Sequence, residues 1–442
     1  MPAADRGAAG GLRSARRQMR LIASALRDER RTPAQVRERQ ERAAVAAIRF
    51  AGRHSPFYRE RFRAAGVDPA DVRSLADLGR LPITTKDDVR RAGAGMLADG
   101  YTPANTVAEK TSGSSGTVLQ LHHSLEAYDR YVAFGFRHLT AIGYRPWHRV
   151  AYTAVDPLPA LPWHRLGLGR RDLVDLTRAD PRRYLDDLLR IRPDIITSYP
   201  SVLQLVINTA TPAELARIRP RVVHLHSELL TDGLRDQIRS AFGCDCFDDY
   251  STVEFHHVAY ECPRHRYHLA ADNVVVEFVR DGRPAAPGEE GEILLTGLTN
   301  RAVPLVRYAV GDVGIPGTGE PCPCGRGFPT MRLVQGRVDD FVVLPSGRRF
   351  SPREINPAYE NLPGVTEHRL VQESPDHLVA HVAVTPEHRA TTPALIQQVL
   401  AALFGEPVRI DVELADRLPR GRTGKLRTVV SKVPDPLQNY PT

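Results

Sequence analysis

The sequence predicts an α/β fold that continues into a β-rich part and ends in a small α+β domain. Between about residues 105 and 300, β-branched runs such as VAYTAV and RVVHLH alternate with helical patterns. This alternation is typical of mostly parallel strands. From residue 273 onward short strands separated by tight turns predominate. Beyond GRVDD, strands and a long helical pattern follow in an order that favours a separate domain of about 100 residues.

The amino-terminal region is predicted to be helical. We expect a frayed start followed by an amphipathic helix, and Ala-rich periodic stretches predict helix over residues 33–66. In the segment LADLGRLPITTKDDVRR, Thr84 or Thr85 is suited to cap a further helix, because a threonine hydroxyl accepts a hydrogen bond from a first-turn N–H.

Strands and helices then alternate along the chain. β-branched runs predict strands near residues 150, 194, 221 and 244. Periodic stretches predict the intervening helices over residues 126–142, 179–191, 201–209 and 231–242, and a helix of the last domain over 392–405. The turn around Asp339 is the predicted hinge, so the expected domains are residues 1–337 and 338–442.

The composition is that of a globular enzyme, with 42% hydrophobic and 25% charged residues in 442. No apolar run approaches the roughly 18 to 20 residues of a membrane span, and the start lacks the apolar core of a secretory signal. The net charge of +8 is spread along the chain, whereas nucleic-acid binders concentrate it. We therefore expect no membrane or nucleic-acid partner, and a monomer or homodimer.

The five cysteines are an odd number, which argues against a disulfide framework and for a reducing compartment, the cytoplasm. Cys322 and Cys324 form a Cys-Pro-Cys-Gly turn, and Cys262 precedes His265 and His268. Three thiolates and one imidazole would make a closed, structural zinc site. We prefer His268 as the fourth ligand because the apolar pair after it indicates a strand. His265, or a set of unrelated buried thiols, remains the alternative.

A loop of hydroxyls and glycines precedes the α/β region. Such a loop suits an anion rich in acceptor oxygens, because glycine lets backbone N–H groups approach a ligand and the hydroxyls add further donors. It is not a Walker loop, since the Gly-Lys-Ser/Thr ending is absent. The candidate phosphate-binding residues are Thr111, Ser112, Gly113, Ser114, Ser115, Gly116 and Thr117.

Several separated motifs together resemble one family. The chain is similar to the adenylate-forming superfamily of acyl-CoA synthetases and adenylation domains, and most closely to its phenylacetate-CoA ligase branch. The similarity covers most of the chain and the motifs are collinear. They are SPFYRERFRAAGVDPADVRSLADLGRLPITTKDDVR, TSGSSGT, SYPSVLQ, HSELLT, DDYSTVE, VRYAVGD, CPCGR, GRVDD and LPRGRTGKLR.

The resemblance implies that ATP activates a carboxylic acid as acyl-AMP with loss of pyrophosphate, and that the acyl group then passes to CoA. Such phosphoryl transfer needs positioning and charge neutralisation more than covalent help. In this reading Glu254 binds Mg²⁺, a hard cation that prefers carboxylate oxygen. Asp312 accepts from both ribose hydroxyls, and Arg337 reaches the same ribose or its phosphate. The adenine is lined by Ser227, Glu228, Asp249 and Tyr250.

The resemblance also makes Lys425 the mobile-domain lysine that reaches the reacting oxygens, and Asp339 the hinge. A point charge on a long stem suits the negative charge of the transition state. Two positions depart from the family pattern. Val118 and Leu119 replace a Pro-Lys pair, and Val253 replaces the hydroxyl residue before Glu254, with Thr252 one position earlier.

The acid is expected to be a small aromatic or related one. The residues on segments that could face it are Trp163, His164, Tyr199, His224, His226, Phe255 and His256. Two alternatives remain. The acyl-adenylate could pass to an amine, another nitrogen nucleophile or a carrier-protein thiol. The chain could also be a weakly active nucleotide-binding scaffold, because a fold does not fix a function.

Overall fold

The computed structural model describes residues 8–110, 119–158, 163–164, 167–178, 180–337, 340–360, 362–421 and 424–433. The chain forms two compact units. The first comprises Met1–Tyr144, Pro159–Leu166 and Asp249–Leu333. The second comprises Arg145–Leu158, Gly167–Asp248 and Val334–Thr442.

The helices and strands are numbered along the chain. The helices are α1 (Ala8–Asp28), α2 (Pro33–His54), α3 (Pro56–Ala64), α4 (Lys86–Ala92), α5 (Leu125–Ala141), α6 (Pro181–Ile191), α7 (Pro200–Thr209), α8 (Pro212–Leu215), α9 (Asp232–Phe242), α10 (Pro352–Ile355), α11 (Pro357–Glu360) and α12 (Thr392–Phe404). The strands are β1 (Thr106–Lys110), β2 (Gln120–Ser124), β3 (Val150–Ala154), β4 (Arg171–Asp175), β5 (Ile195–Ser198), β6 (Val222–His226), β7 (Asp245–Thr252), β8 (His256–Glu261), β9 (Tyr267–Leu269), β10 (Val274–Arg280), β11 (Arg283–Pro284), β12 (Gly291–Gly297), β13 (Tyr308–Pro316), β14 (Thr330–Arg337), β15 (Val342–Val343), β16 (Arg349–Phe350), β17 (Val365–Ser374), β18 (His377–Val384), β19 (Arg409–Ala415) and β20 (Val429–Ser431).

The first unit is built from antiparallel strands and amino-terminal helices. Strand β10 pairs with β11 and β12, and β12 pairs with β13. Strand β8 lies between β7 and β9, and β9 also pairs with β14. Helix α5 packs on α1 and β8. The predicted β-rich part is therefore present, and its tight turns join neighbouring strands of one sheet.

The helix predicted over residues 33–66 is two helices, because Pro56 supplies no N–H to continue the first. Ser55 has an extended backbone and lies between α2 and α3. The cap of α4 is Thr85, whose hydroxyl accepts the Asp88 N–H at 3.1 Å, while the Asp88 carboxylate accepts the Thr85 N–H at 2.9 Å. This reciprocal pair satisfies two donors at the helix start.

The second unit contains the predicted parallel sheet. Strand β3 pairs in parallel with β4 and β5, and β5 pairs in parallel with β6. The helices α6, α7 and α9 place their apolar sides in one core with the sheet. That core includes the fully buried side chains of Leu185, Leu203, Val206, Val223 and Ile238.

The carboxyl-terminal part of the second unit is a four-stranded sheet in the order β19-β18-β17-β20. The central pair β17-β18 is antiparallel, and both outer pairings are parallel. Helix α12 packs on this sheet through Ile396, Leu400 and Phe404. The mixed α/β fold class is thus confirmed. Among the described residues, no helix combines the length and the apolar character that a membrane span requires.

Candidate active site

The predicted phosphate loop, residues 111–117, lies outside the described residues. The strands that flank it in sequence form an antiparallel hairpin, in which Thr106 is opposite Ser124 and Lys110 is opposite Gln120. The hairpin therefore fixes the two chain segments between which the loop runs.

A half-buried carboxylate that the sequence analysis missed ties this hairpin to β8. Glu109 of β1 accepts a hydrogen bond from His256 Nε2 at 2.8 Å, and His123 Nε2 of β2 lies 3.4 Å from the same oxygen. Burial alone would raise the pKa of Glu109, but the two imidazoles outweigh it and the pKa is lowered. The hairpin is thus linked through Glu109 to a residue two positions after Glu254.

Two predicted ligand residues in the first unit are joined directly. The Tyr250 hydroxyl donates to Asp312 Oδ2 at 2.7 Å, although 62 positions separate them. Glu254 accepts at Oε1 from the Tyr308 hydroxyl at 3.2 Å, and no other described residue donates to its carboxylate. Strand β13 therefore brings the predicted ribose residue and a partner for the predicted magnesium ligand to the β7-β8 turn.

The two departures from the family pattern are Val253 before Glu254 and the Val118-Leu119 pair after the predicted phosphate loop. Thr252, one position before Val253, accepts the Phe255 N–H on its hydroxyl at 3.2 Å. The hydroxyl oxygen is thus used in the turn that presents Glu254. Val118 lies outside the described residues, and Leu119 is buried.

Asp249, predicted to line the adenine, is only 3% exposed. Its Oδ2 lies 3.1 Å from His138 Nδ1 and 3.1 Å from His257 Nδ1. Burial, offset in part by this carboxylate, lowers the pKa of His138 to about 3. A neutral His138 can donate one N–H to Asp249. Neither histidine belongs to a recognised motif, and only the fold places them on this carboxylate.

The second unit holds the remaining predicted residues. Ser227 has a left-handed backbone, with φ of 70°, and its hydroxyl lies 2.9 Å from His226 Nδ1. Glu228 accepts the Ser201 N–H at 3.0 Å. Lys425 Nζ lies 5.8 Å from the centre of the Tyr199 ring, within the range of a cation–π contact.

The predicted hinge region is described only in part. Arg337 ends strand β14 and is half-buried, whereas Asp339 lies outside the described residues. The next residue, Asp340, forms an ion pair with Arg427, two positions after Lys425. Both partners belong to the second unit.

The four predicted zinc ligands lie together in the first unit. Their ligand atoms are all within 4.8 Å of one another. Cys262 Sγ lies 3.7 Å from Cys322 Sγ, and Cys324 Sγ lies 3.2 Å from His268 Nε2. The Cys322 carbonyl accepts the Gly325 N–H at 3.1 Å, which closes the turn that carries both thiols. Three sulfurs and one nitrogen thus converge from segments sixty residues apart.

The choice between the two candidate histidines follows from strand register. His268 is opposite Thr330 in the β9-β14 pair and is fully buried. Its Nδ1 donates to the Phe328 carbonyl at 3.1 Å, so Nε2 keeps its lone pair toward the sulfurs. His265 lies in the preceding turn, where its Nδ1 is 3.5 Å from Glu261. The donor set therefore fits the predicted site through His268.

The chain is similar to several enzymes of known activity. It is 29% identical over 355 residues to a phenylacetate-coenzyme A ligase of Thermus thermophilus, which covers 75% of this chain and 77% of that enzyme. It is 26% identical over 420 residues to the phenylacetate-coenzyme A ligase of Aromatoleum evansii, which covers 88% and 92%. No family model matches the chain.

A solved structure of another CoA ligase has a similar fold. The structure of a 2-hydroxyisobutyryl-CoA ligase, in its postadenylation state with an acyl-AMP, superposes with a TM-score of 0.73 at 22% identity. The match covers 92% of this chain and 91% of that one. The similarities to these relatives support the resemblance of the chain to the phenylacetate-CoA ligase-like branch of the adenylate-forming superfamily, and the solved structure shows that the fold is shared.

Proposed function

We propose that this chain is an ATP-dependent, AMP-forming carboxylate–CoA ligase. A carboxylate oxygen of the acid attacks the α-phosphorus of ATP, the bond from that phosphorus to the bridging oxygen breaks, and pyrophosphate leaves. The sulfur of CoA then attacks the acyl carbon, AMP departs, and the thiol proton is released. The acid is a small aromatic or related one.

The observation that carries this proposal is the arrangement around the β7-β8 turn. Tyr250 and Asp312 are hydrogen-bonded to each other. Tyr308 donates to one carboxylate oxygen of Glu254, and no described residue donates to the other oxygen. That oxygen is the kind of ligand that Mg²⁺ prefers. When bound, Mg²⁺ would neutralise charge on the phosphates of ATP. Glu254 therefore holds the metal in our proposal, and Asp312 accepts from the ribose hydroxyls.

The remaining roles follow the family resemblance. Residues 111–117 hold the phosphates, Arg337 supports the ribose, and Ser227, Glu228 and Asp249 surround the adenine with Tyr250. Lys425 stabilises the charge that develops at the reacting oxygens. Residues 1–337 and 338–442 act as separate domains that rotate about Asp339.

The surroundings of Lys425 support an aromatic acid. Tyr199, beneath its ammonium group, contacts His226 edge to face at 5.2 Å between ring centres, and His226 lies 5.8 Å from His224. A carboxylate next to Lys425 would thus meet an aromatic cluster within the second unit. The five free thiols support a reducing compartment, and we place the enzyme in the cytoplasm.

The decisive experiment measures ATP–pyrophosphate exchange against a panel of acids, beginning with phenylacetate. We expect exchange that depends on the acid and on Mg²⁺, followed by thioester formation when CoA is added. Exchange without a CoA product would instead support transfer to an amine or a carrier-protein thiol. Absence of exchange with every acid would contradict the proposed activity.

We further propose that Cys262, His268, Cys322 and Cys324 bind one structural zinc ion. All four positions around the metal are filled by protein in this arrangement, so no position is left for a reacting water. The ion would tie β9 to the turn after β13 without contacting substrate.

Elemental analysis of protein purified without chelator or a metal-affinity tag tests the zinc site. We expect about one zinc per chain, because a site with four protein ligands binds tightly. Fewer than about one zinc per ten chains, with all five thiols titrating under native conditions, would exclude it.

A further inference from the structure

The backbone on both sides of Lys425 is held by hydrogen bonds. The Leu426 N–H donates to Glu228 Oε1 at 2.8 Å, and the Gly424 carbonyl accepts from Arg420 Nη1 at 3.0 Å. All these residues belong to the second unit. The peptide that carries Lys425 is therefore fixed immediately before and immediately after the lysine.

Both bonds lead to one residue in the first turn of α7. Ser201 donates its backbone N–H to Glu228 Oε2 at 3.0 Å, and its hydroxyl accepts from Arg420 Nη1 at 2.9 Å. The four hydrogen bonds form a closed ring together with the backbone from Gly424 to Leu426. The ring runs from Ser201 through Glu228 to Leu426, along the backbone to Gly424, and through Arg420 back to Ser201. We call these bonds the lysine ring.

Arg420 is itself held from the other side. Its Nη2 and Nε donate to Glu367 Oε1 of β17 at 2.7 and 3.2 Å, and Glu367 is 4% exposed. The second oxygen of Glu367 accepts the Leu418 N–H at 3.0 Å. Bonds to ionised partners are among the stronger hydrogen bonds, so the guanidinium has one defined position.

Two of the ring bonds join segments that are about 200 positions apart, whereas the Arg420 bonds to Glu367 and Gly424 stay within the carboxyl-terminal domain. A rotation of that domain about residue 339 would break the first two bonds and keep the others. The ring can therefore form in one domain arrangement only, the one in which Lys425 lies over Tyr199.

We infer that Ser201, Glu228 and Arg420 are positioning residues that hold Lys425 for acid adenylation and release it for acyl transfer. The inference rests on the proposed function. It gives the Glu228 carboxylate a role beyond the adenine pocket, because both of its oxygens already accept backbone N–H groups from the two sides of the ring.

Ser201→Ala is the sharpest test, because it removes one hydroxyl and leaves the backbone bond to Glu228. We expect adenylation turnover, measured by pyrophosphate exchange, to fall about tenfold with little change in KM for ATP, since one charge-assisted bond is lost. Thioester formation from preformed acyl-AMP and CoA should stay at the wild-type rate. Arg420→Lys keeps the positive charge near Glu367 but loses the planar guanidinium group with its several N–H donors. It should also lower adenylation turnover and leave thioester formation at the wild-type rate.

Thr209→Ala is the matched control, because its hydroxyl is on the same helix and bonds only to the Leu205 carbonyl among described residues. It should leave both half-reactions unchanged. An equal fall of both half-reactions in Ser201→Ala, or no change in either, would overturn the inference.

Hydrogen exchange separates this inference from the proposed function. In the protein without substrate, the peptide that contains Leu426 should exchange about tenfold faster in Ser201→Ala than in wild type or Thr209→Ala. If hydrogen exchange is faster but the protein is inactive with every acid, the lysine ring is supported and the proposed ligase activity is contradicted. If hydrogen exchange is unchanged but the protein is active, the lysine ring is contradicted and the proposed ligase activity is supported.

Discussion

Lys425 is one of four lysines among the 60 lysine and arginine residues of the chain. Lys425→Ala should reduce pyrophosphate exchange by roughly 10² to 10³, because a preorganised charge acts mainly on the transition state. ATP binding and thermal stability should change little, since Lys425 is half-buried in a loop outside any helix or strand and its ammonium group lies over the Tyr199 ring. Lys432→Ala, which removes an exposed lysine paired with Glu373, is the control and should retain activity. If folded Lys425→Ala keeps the wild-type rate of pyrophosphate exchange, this lysine has no role in the mechanism.

Glu254 offers a second prediction at the residue scale. Glu254→Gln keeps the shape and the bond to Tyr308 but replaces a charged oxygen with a neutral one. We expect the Mg²⁺ concentration for half-maximal exchange to rise about tenfold, because Mg²⁺ prefers carboxylate oxygen. The exposed Glu60, paired with Arg63, gives the control Glu60→Gln. A magnesium titration equal to that of wild type would assign the metal to another residue.

At the scale of elements, the proposed zinc site joins a short strand to a turn. Strand β9 has three residues, and the Cys-Pro-Cys-Gly turn follows β13, so neither is long enough to be held firmly by its own hydrogen bonds. Cys322→Ser should lose zinc and lower Tm by roughly 5 °C or more, which corresponds to about 2 kcal/mol for a unit of this size. Cys244→Ser alters a half-buried thiol of the second unit and should keep both zinc and Tm. Equal Tm values for the two variants would contradict a structural metal.

At the scale of the whole molecule, stability should depend on pH through buried histidines in both units. Burial lowers the pKa of His368 to about 3. Burial also lowers the pKa of His138 to about 3, although the neighbouring Asp249 carboxylate offsets part of this effect. The unfolded chain has a histidine pKa of about 6.5, so it binds more protons than the folded chain between these values. The stability from neutral His368 is therefore complete above about pH 6.5 and is lost as the pH falls toward about 3.

This dependence can be measured by chemical unfolding. Going from about pH 7 to about pH 5 should cost about 2 kcal/mol for His368 alone. His368→Phe keeps the stacking on Tyr359, whose ring lies 4.2 Å away and nearly parallel, and should flatten the decline. Tyr359→Phe keeps the same stacked pair and removes only a hydroxyl whose pKa is raised by burial, so it should keep the wild-type slope. An identical slope in His368→Phe would show that this imidazole titrates alike in the folded and unfolded chains.

Periodicity located most elements to within two residues. The helices predicted over 126–142, 201–209 and 231–242 are observed as Leu125–Ala141, Pro200–Thr209 and Asp232–Phe242. The break between α2 and α3 was missed: one helix was predicted over residues 33–66, although the Ala-rich stretches end near Ser55 and the missing N–H of Pro56 ends α2. Local pattern therefore predicts where a helix forms more reliably than where it stops.

The sequence by itself determined the family resemblance, the alternation of strands and helices, and the kinds of ligand that the chain can offer, because these depend on residue type and local spacing. Only the tertiary structure decided which side chains meet. It brought His268 together with Cys262, Cys322 and Cys324, and it placed His138 and His257 on Asp249. It also closed the lysine ring from Ser201 to Leu426. These contacts join segments separated by up to about 200 positions, and such pairings are fixed by strand register and helix packing, which no local pattern encodes.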